Sequence, residues 1–401
     1  MFSERFFELA LEFGDSWQVT DVKLNIETEE VDIFIKFIDK KGEYPDLQGL
    51  YPIHDKRESR RWRHLDMLQY KTYINCRVPR VKSSSGIKTI KVPWADDFER
   101  HTYLLECLAI DLLKATKSQT GTAKLLQVGF NVINRIIHIS VKRGLKRRDT
   151  TEDFPNLSID EKSFRKGHSY VTVLSNPNKG TVIDVVENRT KSAVKDLISS
   201  AIHDVEKVKT ITMDMWPAYI NTIKENIPNA NIIHDRFHLV KYLNDAIDKV
   251  RKREVKHNEE LKKTKFIWLK NKGNLTEKQS EKFKSIQEGN YEVSRAWLIR
   301  EDFKCIFGSK SIKDAVGLFA KWGASVIKSK IKEMLKIAQM FNRHIQGVCN
   351  ALIYTYSNAM AERLNGKIQE VKSTARGYKT FENFRSAILF FNGGLSLYPQ
   401  K

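Results

Sequence analysis

The sequence predicts a mixed α/β protein in which a small β-rich segment and a helical pair precede a larger core of strands and helices. Apolar and polar side chains alternate from residue 16 to about 40, as they do in half-buried strands. From about residue 101 the apolar spacing becomes helical, and after residue 151 short apolar runs alternate with helical segments. The 401 residues are enough for two to four domains.

Residues 1–100 are predicted to form the β-rich module. Its alternating apolar positions are Val19, Val22, Leu24, Ile26, Val31, Ile33 and Ile35. Basic residues interleaved with Trp62 and Tyr73 follow them. We predict that five of these contact a phosphate backbone: Arg57, Arg60, Arg61, Arg63 and Arg80. The alternative is a basic surface that is only solvated.

Residues 101–150 have the spacing of a helix-turn-helix DNA-binding domain. A short helix would turn Ala123 and Leu126 inward, and Gly129 would allow the tight turn. The second helix would have an apolar inner face, made of Val132, Ile133, Ile136 and Ile137, and a polar outer face, made of Asn131, Asn134, Arg135 and His138. We predict DNA contacts from Asn131, Asn134, Arg135, Lys142 and Arg143. An ordinary helical hairpin has the same pattern and is the alternative.

Residues 151–241 are predicted to alternate strands and helices, and the order of the strands determines where Asp160 and Asp214 lie. The elements expected are a strand ending near Asp160, a hairpin of strands at 169–175 and 180–186, a helix at 192–203, a strand at 208–213, a helix beginning at Pro217 and a strand at 230–233. This order forms the start of a ribonuclease H-like core. It would bring Asp160 and Asp214 to neighbouring strands.

A long Lys-rich stretch separates Asp214 from the next conspicuous carboxylate, Glu362. We predict an all-helical insertion over 242–346, with a separate structural domain as the alternative, and C-terminal helices of the core over 347–401. The helix with Glu362 also carries Asn358, Asn365 and Gln369, at spacings of four, three and four that share one face. We expect this face to be turned towards a metal and a substrate, with Asn358 in a supporting role.

Asp160, Asp214 and Glu362 stand out because the chain is strongly basic. It has 69 Lys and Arg against 49 Asp and Glu, which gives a formal net charge of +20 and favours a phosphate-rich partner. Carboxylates gathered in such a protein are expected to hold a divalent cation against a polyanion, which we expect to be DNA. Hard oxygen ligands suit Mg²⁺ or Mn²⁺, and two ions are expected.

Other sequence features exclude several classes of protein. No run of about 18 apolar residues occurs, and the first residues lack the pattern of a secretory signal, so we expect no membrane partner. Four cysteines stand singly, at Cys76, Cys107, Cys305 and Cys349. They indicate reduced intracellular thiols, and neither a disulfide framework nor a zinc site.

Four polar blocks follow one another along the chain. They are residues 159–168, 213–219, 234–241 and 357–367, the last followed by Arg376-Gly-Tyr378. In this order they resemble the catalytic blocks of ISL-three-type insertion-sequence transposases, and the resemblance extends from residues 62–66 almost to the C-terminus. It implies a DDE transposase of ribonuclease H-like fold in which Asp160, Asp214 and Glu362 are the catalytic, metal-binding triad. Asp235 and His238 are similar to a motif after the second aspartate and would support the site, with ordinary polar residues of the core as the alternative.

By this resemblance the protein would cut at the terminal inverted repeats of an insertion sequence and join the freed 3′-hydroxyls to target DNA. Its partners would be double-stranded DNA and a second copy of the chain, because two element ends must meet in a homodimeric complex. Lys367 and Arg376 would bind phosphates flanking the break. The expected location is the bacterial cytoplasm, at the nucleoid.

Two other functions fit the same features. One is a domesticated or inactive DNA-binding repressor whose core is only a scaffold, and the other is a nuclease or resolvase that cuts DNA without joining it. The intact triad argues against the repressor, because three carboxylates repel one another unless a metal neutralises them. A strand-transfer assay separates the three functions by joined products, cleavage alone or binding alone.

The chain departs from the family pattern in its first module. Members usually carry zinc-binding cysteines about where Tyr44, Leu47, Tyr51 and Ser83 stand here. Without thiolates a tetrahedral site cannot form, and we expect apolar packing of Tyr44, Leu47 and Tyr51 in its place. We therefore predict that the purified protein contains no zinc, and stoichiometric zinc by elemental analysis would contradict this.

Overall fold

The computed structural model describes residues 2–11, 13–45, 47–149, 152–165, 169–270, 272–287, 289, 291–353 and 359–400. It forms two compact units. We name residues 1–148 together with 395–401 the N-terminal unit, and residues 149–394 the core unit. Within the described ranges, no helix has the length and apolar character needed to cross a membrane.

The N-terminal unit begins with helix α1 (Phe2–Leu11) and continues as two four-stranded sheets. The strands are β1 (Trp17–Asn25), β2 (Glu30–Phe37), β3 (Lys41–Glu43), β4 (Leu50–Lys56), β5 (Arg60–Arg63), β6 (Lys71–Cys76), β7 (Pro79–Ser83) and β8 (Gly86–Thr89). One sheet has the order β1-β2-β6-β5 and the other β3-β4-β7-β8. β2 and β6 pair in parallel, and the other strand pairs described in this unit are antiparallel, so the predicted β-rich segment is largely antiparallel.

Tryptophan rings form the centre of the core in this unit. Trp62 is fully buried, with its ring centroid 5.6 Å from that of Trp94, which also lies 4.9 Å from Trp17. The alternating residues of β2 point into this core as predicted. Leu24 and Ile26 are exposed. Leu24 is paired with the buried Val31 but lies near the end of the edge strand β1, and Ile26 lies in the turn beyond this strand.

The positions expected to replace zinc ligands do not all pack inward. Tyr44 is buried, and its ring centroid lies 5.6 Å from that of the partly buried Tyr51. Leu47 is exposed, because it lies on the loop between β3 and β4, so the prediction of apolar packing is wrong for this residue. Ser83 ends β7 and is half-buried.

Three helices complete the chain of this unit up to residue 146. They are α2 (Tyr103–Thr116), α3 (Gln119–Leu125) and α4 (Phe130–Lys146). Ala123, Leu126, Ile133, Ile136 and Ile137 are buried as predicted, while Val132 is half-buried. Gly129 was expected to allow the turn between α3 and α4, but its φ of −67° suits any residue. The left-handed residue of this turn is Gln127, at φ 49°.

A buried ion network joins α2 and α4 to the end of the chain. Arg143 donates to Glu106 at 2.7 Å, to Asp96 at 3.1 Å and to the carbonyl of Leu397 at 2.8 Å. Burial raises the pKa of Glu106, but the nearby His101 and the hydrogen bond from Arg143 outweigh it and hold this pKa below its usual value. The network therefore depends on a charged carboxylate inside the protein.

The last residues of the chain pack along α4. A Cβ at Gly144 would come within 2.7 Å of the Leu395 Cβ, so only glycine permits this approach. Arg147 donates to the carbonyl of Tyr398 at 2.5 Å. The sequence predicted residues 347–401 as one piece, whereas residues 395–401 group with the N-terminal unit.

The core unit is built on a five-stranded sheet. Its elements are β9 (Asn156–Arg165), β10 (Ser169–Asn176), β11 (Thr181–Glu187), α5 (Lys191–Ala201), β12 (Thr210–Met213), α6 (Pro217–Asn226) and β13 (Asn231–His234). The strand order is β11-β10-β9-β12-β13. β9 pairs antiparallel with β10 and parallel with β12. The expected strands and helices are confirmed to within a few residues, except that β9 continues past Asp160 because β10 pairs with it as far as Arg165.

Helices occupy residues 236–353 of the described chain. They are α7 (Arg236–Glu254), α8 (Lys265–Leu269), α9 (Glu277–Gln287), α10 (Glu292–Cys305), α11 (Ile312–Ser329), α12 (Lys332–Arg343) and α13 (Ile345–Ile353), with short 3-10 turns between some of them. Trp268, Trp297 and Trp322 lie in their common core. The predicted boundaries at 241/242 and 346/347 fall inside α7 and α13, because each of these helices packs on both the sheet and the helical core.

Two further helices return to the sheet. They are α14 (Ala359–Thr374) and α15 (Phe381–Asn392). Arg385 of α15 forms a paired contact with Asp184 of β11, with nitrogen–oxygen distances of 2.8 and 2.9 Å. This contact fixes α15 against one edge of the sheet.

Arg143→Ala should lower the free energy of unfolding of the N-terminal unit by about 3–5 kcal/mol, because it leaves the Glu106 carboxylate buried without its partner. Urea unfolding of the full chain, followed by tryptophan fluorescence, measures this change. Lys142→Ala alters the exposed neighbour on the same helix and should change the free energy by less than about 0.5 kcal/mol. Equal losses for the two variants would contradict a special role for the buried pair.

The pH dependence of the same pair has a defined sign. Because the pKa of Glu106 is lowered in the folded chain, its pairing stabilises the protein above the ordinary carboxyl pKa of about 4.3. This stabilisation is lost as the pH falls through the folded-state pKa. The difference between Arg143→Ala and wild type should therefore shrink in acid.

Candidate active site

Asp160 and Asp214 lie on neighbouring strands at the same level. β12 runs parallel to β9, with Thr212 opposite Ser158. Continuing this register by two residues sets Asp214, which follows β12, opposite Asp160. Residues two apart on a strand share a face, so both carboxylates lie on the same side of the sheet. Asp160 thus stands in the middle of the sheet and not at the end of its strand.

Among the described residues, two side chains contact the Asp160 carboxylate. The Lys162 Nζ atom is 2.9 Å from Asp160 Oδ2, and the Asn365 amide donates to the same oxygen at 2.8 Å. Asp160 Oδ1 accepts the backbone N–H of Glu161 at 2.7 Å. Because Asn365 belongs to α14, its hydrogen bond shows where this helix crosses the sheet.

Three contacts define the course of α14, from the β10–β11 turn along β9. Near its start Met360 lies against Gly180, where a Cβ would be 2.6 Å from the methionine sulfur. In its middle Asn365 reaches Asp160, and near its end Lys372 donates to the Ser163 carbonyl at 2.6 Å. Position 362 is one helical turn before Asn365.

Part of the predicted site lies outside the described residues. This holds for the side chain of Glu362 and for Asn358 altogether. Among the described side chains, no three His, Cys, Asp or Glu come close enough to hold a metal ion. The described part of the site therefore consists of two aspartates and the residues around them.

Two residues of α7 contact Asp214. The Tyr242 hydroxyl donates to its carboxylate at 3.1 Å, and His238 Nδ1 lies 3.4 Å from Asp214 Oδ2. Burial and the charge of Asp214 raise the pKa of Tyr242, so its hydroxyl stays protonated and can donate. Asp214 Oδ1 also accepts the N–H of Met215 at 2.7 Å.

Asp235, unlike His238, caps a helix. It is the N-cap of α7, where its carboxylate accepts the Phe237 N–H at 2.7 Å. Its own backbone N–H donates to the Met213 carbonyl at 3.0 Å. Asp235 thereby begins α7 beside the end of β12, which places His238 and Tyr242 next to Asp214.

Lys162 and Tyr242 were not predicted, although both carried a sequence signal. Lys162 is two residues after Asp160 and therefore on the same face of the strand. Tyr242 is four residues after His238 and therefore on the same face of the helix. Neither residue could be singled out from this spacing alone, because the chain contains many other Lys and Tyr residues.

Of the arginines predicted to bind DNA in the β-rich segment, Arg57 is exposed and Arg60 is half-buried. Arg61 bonds to Glu30 and Asp32, and Arg80 bonds to Asp55. These partners neutralise part of the expected positive surface.

Arg63 does not fit the prediction. Only 8% of this residue is exposed, and its guanidinium donates to the carbonyls of His64 and Leu126 at 2.6 and 3.3 Å and pairs with Asp66. It lies at the end of β5, facing the turn after α3, so it connects the sheet to the helices. The predicted DNA contact of Arg143 does not fit the structure for the same reason, because its guanidinium donates hydrogen bonds to Glu106, Asp96 and the Leu397 carbonyl.

The other predicted DNA contacts differ in accessibility. On α4, Asn131 and Lys142 are exposed and Asn134 is half-buried. Arg135 is exposed but donates to both oxygens of the buried Glu99, at distances between 2.7 and 2.9 Å. In the core unit, Lys367 on α14 and Arg376 just after it are both exposed.

Known proteins resemble this chain over most of its length. A transposase from the insertion sequence element IS1001 of Bordetella parapertussis is 22% identical over 338 residues, which cover 81% of this chain and 82% of that protein. A transposase from the element IS1557 of Mycobacterium tuberculosis is 23% identical and covers 80% of this chain and 79% of its own length. A chain in the cryo-EM structure of the simian T-cell lymphotropic virus intasome in complex with PP2A regulatory subunit B56 gamma is 14% identical and covers 45% of this chain and 69% of that one; its TM-score of 0.17 supports no comparison of folds.

The family model DDE_Tnp_ISL3, described as a transposase, matches residues 157–388. This match spans more than half of the chain and contains Asp160, Asp214 and Glu362. The chain therefore belongs to the ISL-three family of insertion-sequence transposases.

Proposed function

We propose that the protein binds the terminal inverted repeats of an insertion sequence, cleaves DNA there and joins the freed 3′-hydroxyls to target DNA. The observation that carries the proposal is the register of β9 and β12, which sets Asp160 opposite Asp214 where α14 crosses the sheet. The strand order supports a ribonuclease H-like core with an inserted helical segment. In this proposal Asp160, Asp214 and Glu362 are the catalytic carboxylates.

The residues of this site suit a divalent cation. Asp160 and Asp214 present hard oxygen donors, which Mg²⁺ and Mn²⁺ prefer, on strands about 4.8 Å apart. Glu362 would be the third ligand. Two such ions, when bound, would activate the attacking water or 3′-hydroxyl and stabilise the departing oxygen.

The residues around the aspartates hold both carboxylates in one orientation. The Tyr242 hydroxyl donates a hydrogen bond to Asp214 Oδ1, and His238 Nδ1 lies near Asp214 Oδ2. Lys162 and Asn365 both contact Asp160 Oδ2. A metal site of this kind needs its carboxylate ligands to be oriented before the substrate binds. We therefore propose that these four residues position the carboxylates of Asp160 and Asp214.

DNA would be held by exposed basic and polar residues of both units. Residues 101–150 would act as a helix-turn-helix domain, with Asn131 and Lys142 exposed on its second helix. Lys367 and Arg376 would contact phosphates that flank the break, close to Glu362 in sequence. Because two element ends must meet, the active form would be a homodimer on DNA.

Asp214→Asn should abolish cleavage and keep DNA binding, because the amide preserves the size of the side chain but removes a metal-binding charge. We expect cleavage of terminal-repeat DNA in Mg²⁺ to fall by on the order of a thousand-fold or more. Gel-shift assays in EDTA measure binding separately. Asp196→Asn, an exposed aspartate on α5, is the matched control and should cut normally.

Three outcomes of the wild-type assay distinguish the functions. Joined products support the transposase, cleavage without joining supports a nuclease, and binding alone supports a repressor. An Asp214→Asn protein that still cuts would show that the triad is assigned wrongly.

Tyr242→Phe should lower cleavage by about ten- to a hundred-fold without changing DNA binding, because it removes one hydrogen bond that orients Asp214. The Mg²⁺ concentration for half-maximal cleavage should rise as well, which a purely structural defect would not cause. Tyr291→Phe removes a similar bond, from the Tyr291 hydroxyl to Glu260 at 2.9 Å, and serves as control. Equal effects of the two variants would contradict the positioning role.

A further inference from the structure

The N-terminal unit contains a basic groove with a volume of about 940 Å³. Seven basic residues line it against three acidic ones, and the basic ones include Arg57, Arg60, Lys91 and Arg100. One of the three acidic residues, Asp96, is already paired with Arg143, and one of the seven basic residues, Arg80, is paired with Asp55. The groove is therefore strongly positive.

Several of these charges have no counter-charge among the residues that the structure describes. Arg57, Lys91 and Arg100 form no ion pair with any residue that the structure describes. Burial lowers the pKa of Arg60, and the charges of Arg100 and Arg57 lower it further. Like charges crowded together in this way are stabilised when an anion binds between them.

An exposed aromatic ring stands in the lining of the groove. Phe98 is 83% exposed and has a φ of 67°, a backbone conformation that is unfavourable for a bulky residue. It occupies the third position of a turn closed by the Glu99 N–H and the Asp96 carbonyl, where glycine is the usual residue. Neither burial nor backbone preference explains a phenylalanine at this position.

Both ends of this turn are anchored to helices of the same unit. Asp96 accepts bonds from Tyr103 at 2.8 Å and Arg143 at 3.1 Å, and Glu99 is held by Arg135. The turn is thus fixed in place while the ring of Phe98 faces water. A rigid aromatic beside unpaired arginines is the combination that binds a base together with its phosphates.

We propose that this groove binds DNA along its phosphate backbone and that Phe98 stacks on a base separated from its neighbour. The proposal rests on the DNA-binding function proposed above and names one contact within it. Arginines of the groove would neutralise the phosphates. The ring would act as a wedge at one base step, as apolar side chains do in proteins that kink DNA.

Phe98→Gly tests this contact in the full-length protein. Glycine removes the ring and relieves the left-handed backbone, so the thermal midpoint should stay the same or rise. Binding to terminal-repeat duplex in EDTA, followed by fluorescence anisotropy, should weaken by about ten-fold, the effect of one lost base stack. Phe98→Trp keeps a stacking ring and should restore binding to near the wild-type value.

Leu68→Gly is the matched control. Leu68 is also a large apolar residue, 87% exposed at φ 48°, in the turn between Met67 and Tyr70 and outside the groove. Its replacement removes an exposed apolar side chain and relieves the left-handed backbone conformation, as Phe98→Gly does. Binding should not change.

Fluorescence of 2-aminopurine placed at successive steps of the repeat reports the separated base. Wild type and Phe98→Trp should brighten the probe at one step, and Phe98→Gly should not. If wild type binds DNA but Phe98→Gly binds equally well, the inference about Phe98 is wrong while the proposed function stands. If wild type binds no DNA, both are wrong, and stronger binding to RNA of the same sequence would also overturn the inference.

Discussion

The parallel pairing of β9 with β12 is the constraint on which the candidate site depends. It sets Asp160 opposite Asp214, and a shift of one residue would turn one of the two carboxylates to the other face of the sheet. Other elements of the core unit are fixed relative to this pair. Asp235 begins α7 where β12 ends, so that His238 and Tyr242 meet Asp214, and Asn365 fixes α14 at the level of Asp160.

Buried charge plays the corresponding part in the N-terminal unit. Arg143 of α4 bonds to Glu106 of α2, to Asp96 in the loop before α2 and to the Leu397 carbonyl near the end of the chain. The same guanidinium and that of Arg135 fix the turn that exposes Phe98. Two arginines that local sequence assigned to DNA thus serve to hold a loop, whereas the arginines of the neighbouring groove are the ones proposed to bind the DNA backbone.

The sequence predicted regular elements well and the roles of charged residues poorly. The hairpin of β10 and β11, the helix beginning at Pro217 and the neighbouring positions of Asp160 and Asp214 followed from periodicity, turn residues and strand order. Arg63 was predicted to contact DNA, but it is buried and its guanidinium bonds to His64, Thr72, Leu126 and Asp66. Exposed and buried arginines look alike in a basic chain, because the difference lies in partners that are distant in sequence.

By itself, the sequence determined the mixed α/β class, the order of elements and the membership of the transposase family, since periodicity, turns and motif blocks depend on residues close together in the chain. Only the tertiary structure decided which basic residues stay free, where α14 crosses the sheet and that the chain end belongs with the N-terminal unit. The contact of Arg143 with Leu397 spans 254 positions. No local pattern encodes such a contact, because burial of a charge depends on the whole set of groups packed around it.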